Sequence, residues 1–159
     1  MARTRVVFLT LLVALAPASA VADVTAFIGT TATPANRTAA GVAIGFGILF
    51  LGFEFEYSGT GEEPLEQAPS LRTGTGNVLL QTPVAIMGLQ PYFTTGGGVY
   101  RESLGSFQET QAAFNTGGGV KISLLGPVKA RLDYRVFKLK GEPLHSTVHR
   151  LYAGVNLSF

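Results

Sequence analysis

Residues 50–58 read FLGFEFEYS. Phe53, Phe55 and Tyr57 alternate with Glu54 and Glu56, the period-two pattern of a strand with one apolar and one charged face. A water-soluble sheet would turn the rings into a core and the carboxylates into water. A membrane barrel reverses the arrangement. The sidedness of this strand decides the fold, and the neighbouring segments decide the sidedness.

After residue 20 no segment carries a helical period; alternating runs recur instead, with turn residues between them. They predict strands over 23–31, 38–47, 49–58, 76–86, 90–102, 112–124, 128–139 and 148–159. Short turns are expected around Ile48, at Met87-Gly88-Leu89 and at Leu125-Gly126-Pro127. Longer polar connections are expected at 31–38, 59–75, 103–111 and 140–147. Short turns at one end, long loops at the other and strands of about ten residues describe a closed antiparallel membrane barrel of eight strands.

The faces sort accordingly. In the last strand Leu151, Ala153, Val155, Leu157 and Phe159 oppose Arg150, Tyr152, Gly154, Asn156 and Ser158. In the seventh, Val128, Ala130, Leu132, Tyr134 and Val136 oppose Lys129, Arg131, Asp133 and Arg135. The sixth sets Phe114, Val120, Ile122 and Leu124 against Asn115, Gly117, Gly119, Lys121 and Ser123; the second sets Val42, Ile44 and Phe46 against Ala39, Gly41, Ala43 and Gly45. The non-apolar faces are mostly glycine, alanine and serine. Only 14% of the chain is charged, whereas a soluble surface carries roughly 25–35% charged residues. A soluble lipocalin-like periplasmic carrier is therefore the weaker reading, and the all-β, eight-stranded, up-and-down transmembrane barrel the stronger.

Inside such a barrel, strands three and seven lie across the ring from each other. Glu54 and Glu56 are expected to face Arg131 and Arg135, with Lys121, Lys129, Asp133 and Arg150 nearby, as a lumenal charge network. The same residues would line an ion path if the lumen were open, so a narrow pore or small-molecule conduit is the alternative. The first and fifth segments, DVTAFIGTT and PYFTTGGGVYRE, show no clear face. Pro83 falls inside the fourth predicted strand, where a closed ladder has no free edge for it; it marks a bulge or an early strand end.

The N-terminus bears on location. Arg3 and Arg5 precede the apolar run Val6–Ala16, which ends in Pro17 and Ala18-Ser19-Ala20, the layout of a secretory signal peptide cleaved after Ala20 or Ala22. We expect residues 1–20 to be removed and residues 21–159 to form one barrel domain. Losing Arg3 and Arg5 lowers the basic count from 12 to 10, equal to the 10 acids, so net charge gives no reason to expect a nucleic-acid partner. With no cysteine, thiolate chemistry and disulfides are excluded.

The C-terminal YAGVNLSF resembles the signal by which outer-membrane proteins are recognised by their assembly machinery, with Tyr152, Gly154, Leu157 and terminal Phe159 in the matching positions. QPYFTTGGGVYR (90–101), NTGGGVKISL (115–124) and ARLDYRVF (130–137) are similar to strands of the small outer-membrane β-barrel family, which includes OmpA-like and OmpX-like barrels. The resemblance spans about residues 23–159. It implies the bacterial outer membrane as location, with its lipid, its lipopolysaccharide and the barrel assembly machinery as partners.

Candidates for chemistry are few. His145, with Ser146 and Glu142, could form a rim set for acyl hydrolysis or transfer, but a serine device needs an oriented imidazole and both mature aspartates, Asp23 and Asp133, should lie far from it. Two histidines, His145 and His149, give no metal spacing. The twin TGGGV segments at 95–99 and 116–120 lack the Lys-Ser/Thr of a phosphate loop. Glu62, Glu63 and Glu66, with Arg72 close behind, suit a solvated loop or a contact with cations or a host surface. We expect no cofactor, no metal and no turnover. The reading is a monomeric envelope protein with a structural or surface-interaction role and an extracellular ligand of unspecified kind.

Overall fold

A computed structural model describes residues 21–159; the signal-peptide reading falls on residues 1–20, outside the described residues. Eight strands run in sequence: β1 (Val21–Thr31), β2 (Arg37–Ile48), β3 (Leu51–Thr60), β4 (Ser70–Gln81), β5 (Leu89–Leu104), β6 (Phe107–Leu125), β7 (Val128–Leu139) and β8 (Thr147–Ser158), with one 3₁₀ turn at Pro64–Glu66. Each pairs antiparallel with the next, and β8 returns to β1, closing the barrel. The expected eight-stranded up-and-down topology is what forms.

Sidedness follows the inverted pattern. Phe55 is 73% exposed, while Glu54 beside it is 3% exposed. Along β3 exposed and buried residues alternate from Leu51 to Ser58, and β7 and β8 continue the same parity. The outward positions of β2, Val42, Ile44, Phe46 and Ile48, are all exposed apolar side chains. Only contact with hydrocarbon makes such a band favourable.

The two unassigned strands resolve by the same parity. On β1, Asp23, Thr25 and Phe27 point inward and Val24 and Ile28 outward. On β5, Tyr92, Thr94, Tyr100 and Glu102 are buried and Phe93 and Val99 exposed. What obscured the β1 pattern is an inward aromatic, since Phe27 stacks on Tyr152 at 4.1 Å between ring centroids inside the lumen; on β5 the inward tyrosines Tyr92 and Tyr100 and the glycine run Gly96–Gly98 did the same.

Three expectations are corrected. The fourth strand is Ser70–Gln81, not 76–86: the ladder stops before Pro83, which has no N–H to donate. Its early half, with Thr73, Gly74, Thr75 and Gly76, has the composition of a turn, yet these residues pair in register with Ser58 through Phe55 of β3. The stretch 103–111 is no long loop either. β5 and β6 pair as far as Leu104 and Phe107 across a turn at Gly105-Ser106, with Gly105 at φ 57°. Their polar tips read as loop because they rise past the apolar band. Finally, the 82–88 connection is longer than the tight turn expected at Met87-Gly88-Leu89.

The TGGGV repeats belong to this architecture. They lie on paired β5 and β6, slipped so that Gly97 faces Phe114 and Gly118 faces Phe93. A Cβ at inward Gly119 would collide with the Leu132 carbonyl and lie 2.5 Å from the Tyr92 hydroxyl. These glycines let strands close around a crowded axis.

Candidate functional site

Eight inward faces converge on a lumen that is layered from the turn end, where both described termini lie, to the loop end. At the turn end Lys121 Nζ lies 2.6 Å from Asp23 Oδ2. Lys129 Nζ reaches Gln90 Oε1 at 3.5 Å. With Gln81 and Ser158 these residues line a recess of about 130 Å³ that opens to the outside. Above it, on the loop side, Asn156 donates to Thr25 Oγ1 at 2.8 Å.

The next layer is ionic. Arg131 from β7 crosses to Glu54 on β3, with Nη1 against Oε2 and Nη2 3.2 Å from Oε1. Its Nη2 also lies 2.9 Å from Asp133 Oδ2, and its Nε donates to the Tyr92 hydroxyl at 2.7 Å. Arg135 binds Glu54 Oε1 at 2.8 Å, Glu56 Oε2 at 2.8 Å and Asp133 Oδ1 at 3.1 Å. Tyr92 donates to Asp133 and Tyr152 donates to Glu56 Oε2, the latter at 2.9 Å. Arg131 also stands over the Tyr92 ring, 4.9 Å from its centroid. Buried charges persist in such a place only when paired and hydrogen-bonded.

Arg150 closes this layer on its loop side. Its Nη1 donates to Ser58 Oγ and lies 3.7 Å from Glu56 Oε1, and its guanidinium covers the Phe137 ring at 4.5 Å. Three carboxylates, Glu54, Glu56 and Asp133, thus face three guanidiniums, Arg131, Arg135 and Arg150, and the layer is formally neutral.

Toward the loops the lumen turns apolar. Leu71, Tyr100, Ala113, Phe137, Leu139 and Val148 pack into one buried cluster, and Tyr100 donates to the Lys140 carbonyl at 2.6 Å. Ionic layer and apolar cluster fill the axis in succession. Above them Arg37 ties the rim together, donating to the Gly61 carbonyl at 2.9 Å, the Thr33 carbonyl at 3.1 Å and the Pro69 carbonyl.

Of the eight residues expected in the charge network, Glu54, Glu56, Arg131, Asp133 and Arg135 lie together, with Arg150 attached through Glu56. Lys121 and Lys129 stand apart, in the turn-end mouth. The sequence reading missed Tyr92 and Asp23 as partners. The parity Tyr92–Thr94 and Asp23–Thr25 carried the signal, masked by Phe27 and by the glycine run after Thr95.

At the terminal strand, Tyr152 points into the lumen, Leu157 and Phe159 outward, and Phe159 N donates to the Ala22 carbonyl at 2.8 Å. Gly154 faces Phe27 across the β1–β8 seam. Among the described residues no hydrogen bond joins Ser146, His145 and Glu142; Glu142 N instead donates to Glu109 Oε1 at 3.3 Å, and Leu144 N to Glu102 Oε2 at 3.0 Å. His149 is on the outer face, its Nδ1 2.7 Å from the Tyr134 hydroxyl. No group of three or more metal-ligating side chains occurs among the described residues. Arg72, read from sequence as part of the acidic loop, stands instead on the outer face of β4, while Glu62, Glu63 and Glu66 are exposed around the 3₁₀ turn.

No family model matches the chain, and no curated protein does. Among solved structures it is similar to Neisserial surface protein A, at a TM-score of 0.69 and 16% identity over 88% of this chain and 97% of that one. The N-terminal barrel of Pseudomonas aeruginosa OprF aligns at 0.65 and 17% identity over 87% and 97%. The outer membrane enzyme PagL aligns at 0.56 and 12% identity over 85% and 98%. At these identities the likeness is one of architecture, and the architecture is the eight-stranded transmembrane β-barrel.

Proposed function

We propose that this chain is an outer-membrane protein of the bacterial envelope whose work is done by its outer surface and loops, with neither turnover nor conduction through the barrel. The observation that carries this reading is the filled axis, an interlocked ionic layer followed by an apolar cluster. Eight strands give an interior just wide enough for side chains to fill it. A filled lumen leaves the exterior and the rim as the only faces open to partners. The apolar outer band, with Leu157 and Phe159 exposed at its turn end, supports a membrane location. A closed ladder needs no second copy, so the working form is a monomer. The acidic turn around Glu62, Glu63 and Glu66 and the long β5–β6 hairpin are the parts offered to an extracellular ligand.

Three measurements test the reading. The expressed protein should fractionate with the outer membrane, need detergent for extraction and migrate differently in gels before and after boiling. Reconstituted in a planar bilayer, it should pass no stepwise current. Single-channel steps that vanish in Glu54→Gln would install the pore instead. Phospholipid or lipid A hydrolysis lost in His145→Ala would install an enzyme.

A further inference from the structure

On the outer face of the β4–β5 pair, the side chains change character abruptly at one level. From the turn end upward β4 presents Leu80, Val78, Gly76 and Gly74, then Arg72; β5 presents Phe93, Thr95, Gly97 and Val99, then Arg101. Arg72 and Arg101 are direct cross-strand partners. Like charges so placed repel and destabilise a sheet, and among the described residues neither arginine forms an ion pair. Arg101 Nη2 donates to Gln108 Oε1 at 2.9 Å, which is neutral; Arg72 has no side-chain partner among them. One position further out Ser70 and Ser103 pair, 2.7 Å between hydroxyl oxygens, and the four residues line one recess of about 240 Å³.

Directly below this recess lies a furrow of about 620 Å³ in the apolar band, floored by Gly74, Gly76 and Gly97 and walled by Phe55, Tyr57 and Val99. The lumenal glycines of β5 and β6, Gly96, Gly98, Gly117 and Gly119, are required because a Cβ would strike backbone. At Gly74 and Gly76 that reason fails, since a Cβ at Gly74 would meet nothing within 4 Å and one at Gly76 would meet only Phe55 at 3.6 Å, whereas at Gly97 a Cβ would lie 3.3 Å from the Ala113 carbonyl oxygen. A strand glycine without such a packing cause leaves room for close approach by another molecule.

We infer that the Arg72–Arg101 recess and the glycine furrow form one binding site for a phosphorylated, acylated lipid, and that its occupant is the lipid A of lipopolysaccharide. The phosphate relieves the repulsion between the guanidiniums through charge-assisted hydrogen bonds, for which arginine's planar fork is suited. An acyl chain fills the furrow beneath it. The choice of lipid A rests on the outer-membrane reading above, because both arginines lie at the loop end of the barrel, the side that carries extracellular loops in such proteins.

Native mass spectrometry of the full barrel, released from phosphatidylcholine nanodiscs carrying diphosphoryl lipid A, tests this. One lipid A should remain bound per barrel. Arg72→Gln with Arg101→Gln should weaken retention by about tenfold or more, as should removal of the lipid A phosphates. Gly74→Leu, which projects into open furrow, should lose retention while keeping the boiled-versus-unboiled gel shift. Equal retention by wild type and both variants overturns the site. Equal retention of phosphatidylglycerol and lipid A overturns the choice of occupant. Specific lipid A retention by a protein that fractionates away from the outer membrane would sink the location and leave the site standing.

Discussion

At the scale of single residues, the ionic layer sets the consequences of mutation. Glu54 accepts from both Arg131 and Arg135, so deleting its carboxylate leaves two guanidiniums underpaired in a dry interior. Glu54→Ala and Arg131→Ala should each destabilise the barrel by about 3–5 kcal/mol, read as a shift of the urea midpoint in detergent micelles. Tyr92→Phe removes the hydroxyl that accepts from Arg131 and donates to Asp133, and should cost less, about 1.5–3 kcal/mol. Equal midpoints for wild type and Glu54→Ala would mean that the layer is not held as described. How these side chains meet could be read only in part. The facing of strands three and seven follows from counting strands around a closed ring, so Glu54 with Arg131 was accessible from sequence. For Tyr92 and Asp23 parity carried the inward facing but not the partners, because those depend on the depth at which tilted strands align.

At the scale of the element, a strand in this barrel is a ruler of membrane depth. β3 presents Leu51, Phe53, Phe55 and Tyr57 outward, with Phe55 near its middle. Phe55→Arg should therefore cost about 2–4 kcal/mol in a bilayer, whereas Thr38→Arg, outward at the loop end of β2, should cost about 0–1 kcal/mol. Unfolding in lipid vesicles checks the contrast; equal costs would mean that Phe55 does not face hydrocarbon. The elements also explain the misread boundaries. Strand patterning in a barrel is a record of two solvents, lipid outside and a polar axis inside. Where β5 and β6 leave the band and where β4 carries its glycine furrow, that contrast disappears, and polar or glycine-rich strand looks like loop.

At the scale of the whole molecule, closure is the defining property. β1 and β8, at opposite ends of the described chain, pair from Asp23–Ser158 to Thr31–Arg150. Ala26 and Val155 are opposite one another on the outer face of that seam, at the roughly 4.5–5.5 Å Cα spacing of an antiparallel pair, within disulfide reach. Ala26→Cys with Val155→Cys should cross-link on oxidation and keep the boiled chain more compact in gels, reverting with reductant. Failure to cross-link would open the barrel. Closure also accounts for the absent edge strand and for the tolerance of so apolar a rim at Leu157 and Phe159.

The alternation of FEFEY, the scarcity of charge and the eight recurring runs determined by themselves that this chain rolls into a barrel with its greasy side outward, because period-two patterning and the lack of charge for a soluble surface are local and compositional facts. Only the folded structure decided which ions meet, that the axis is filled, and that two arginines and three glycines on separate strands share one outer surface. Those depend on register and tilt, which bring together residues that are distant along the chain and that no local pattern can align.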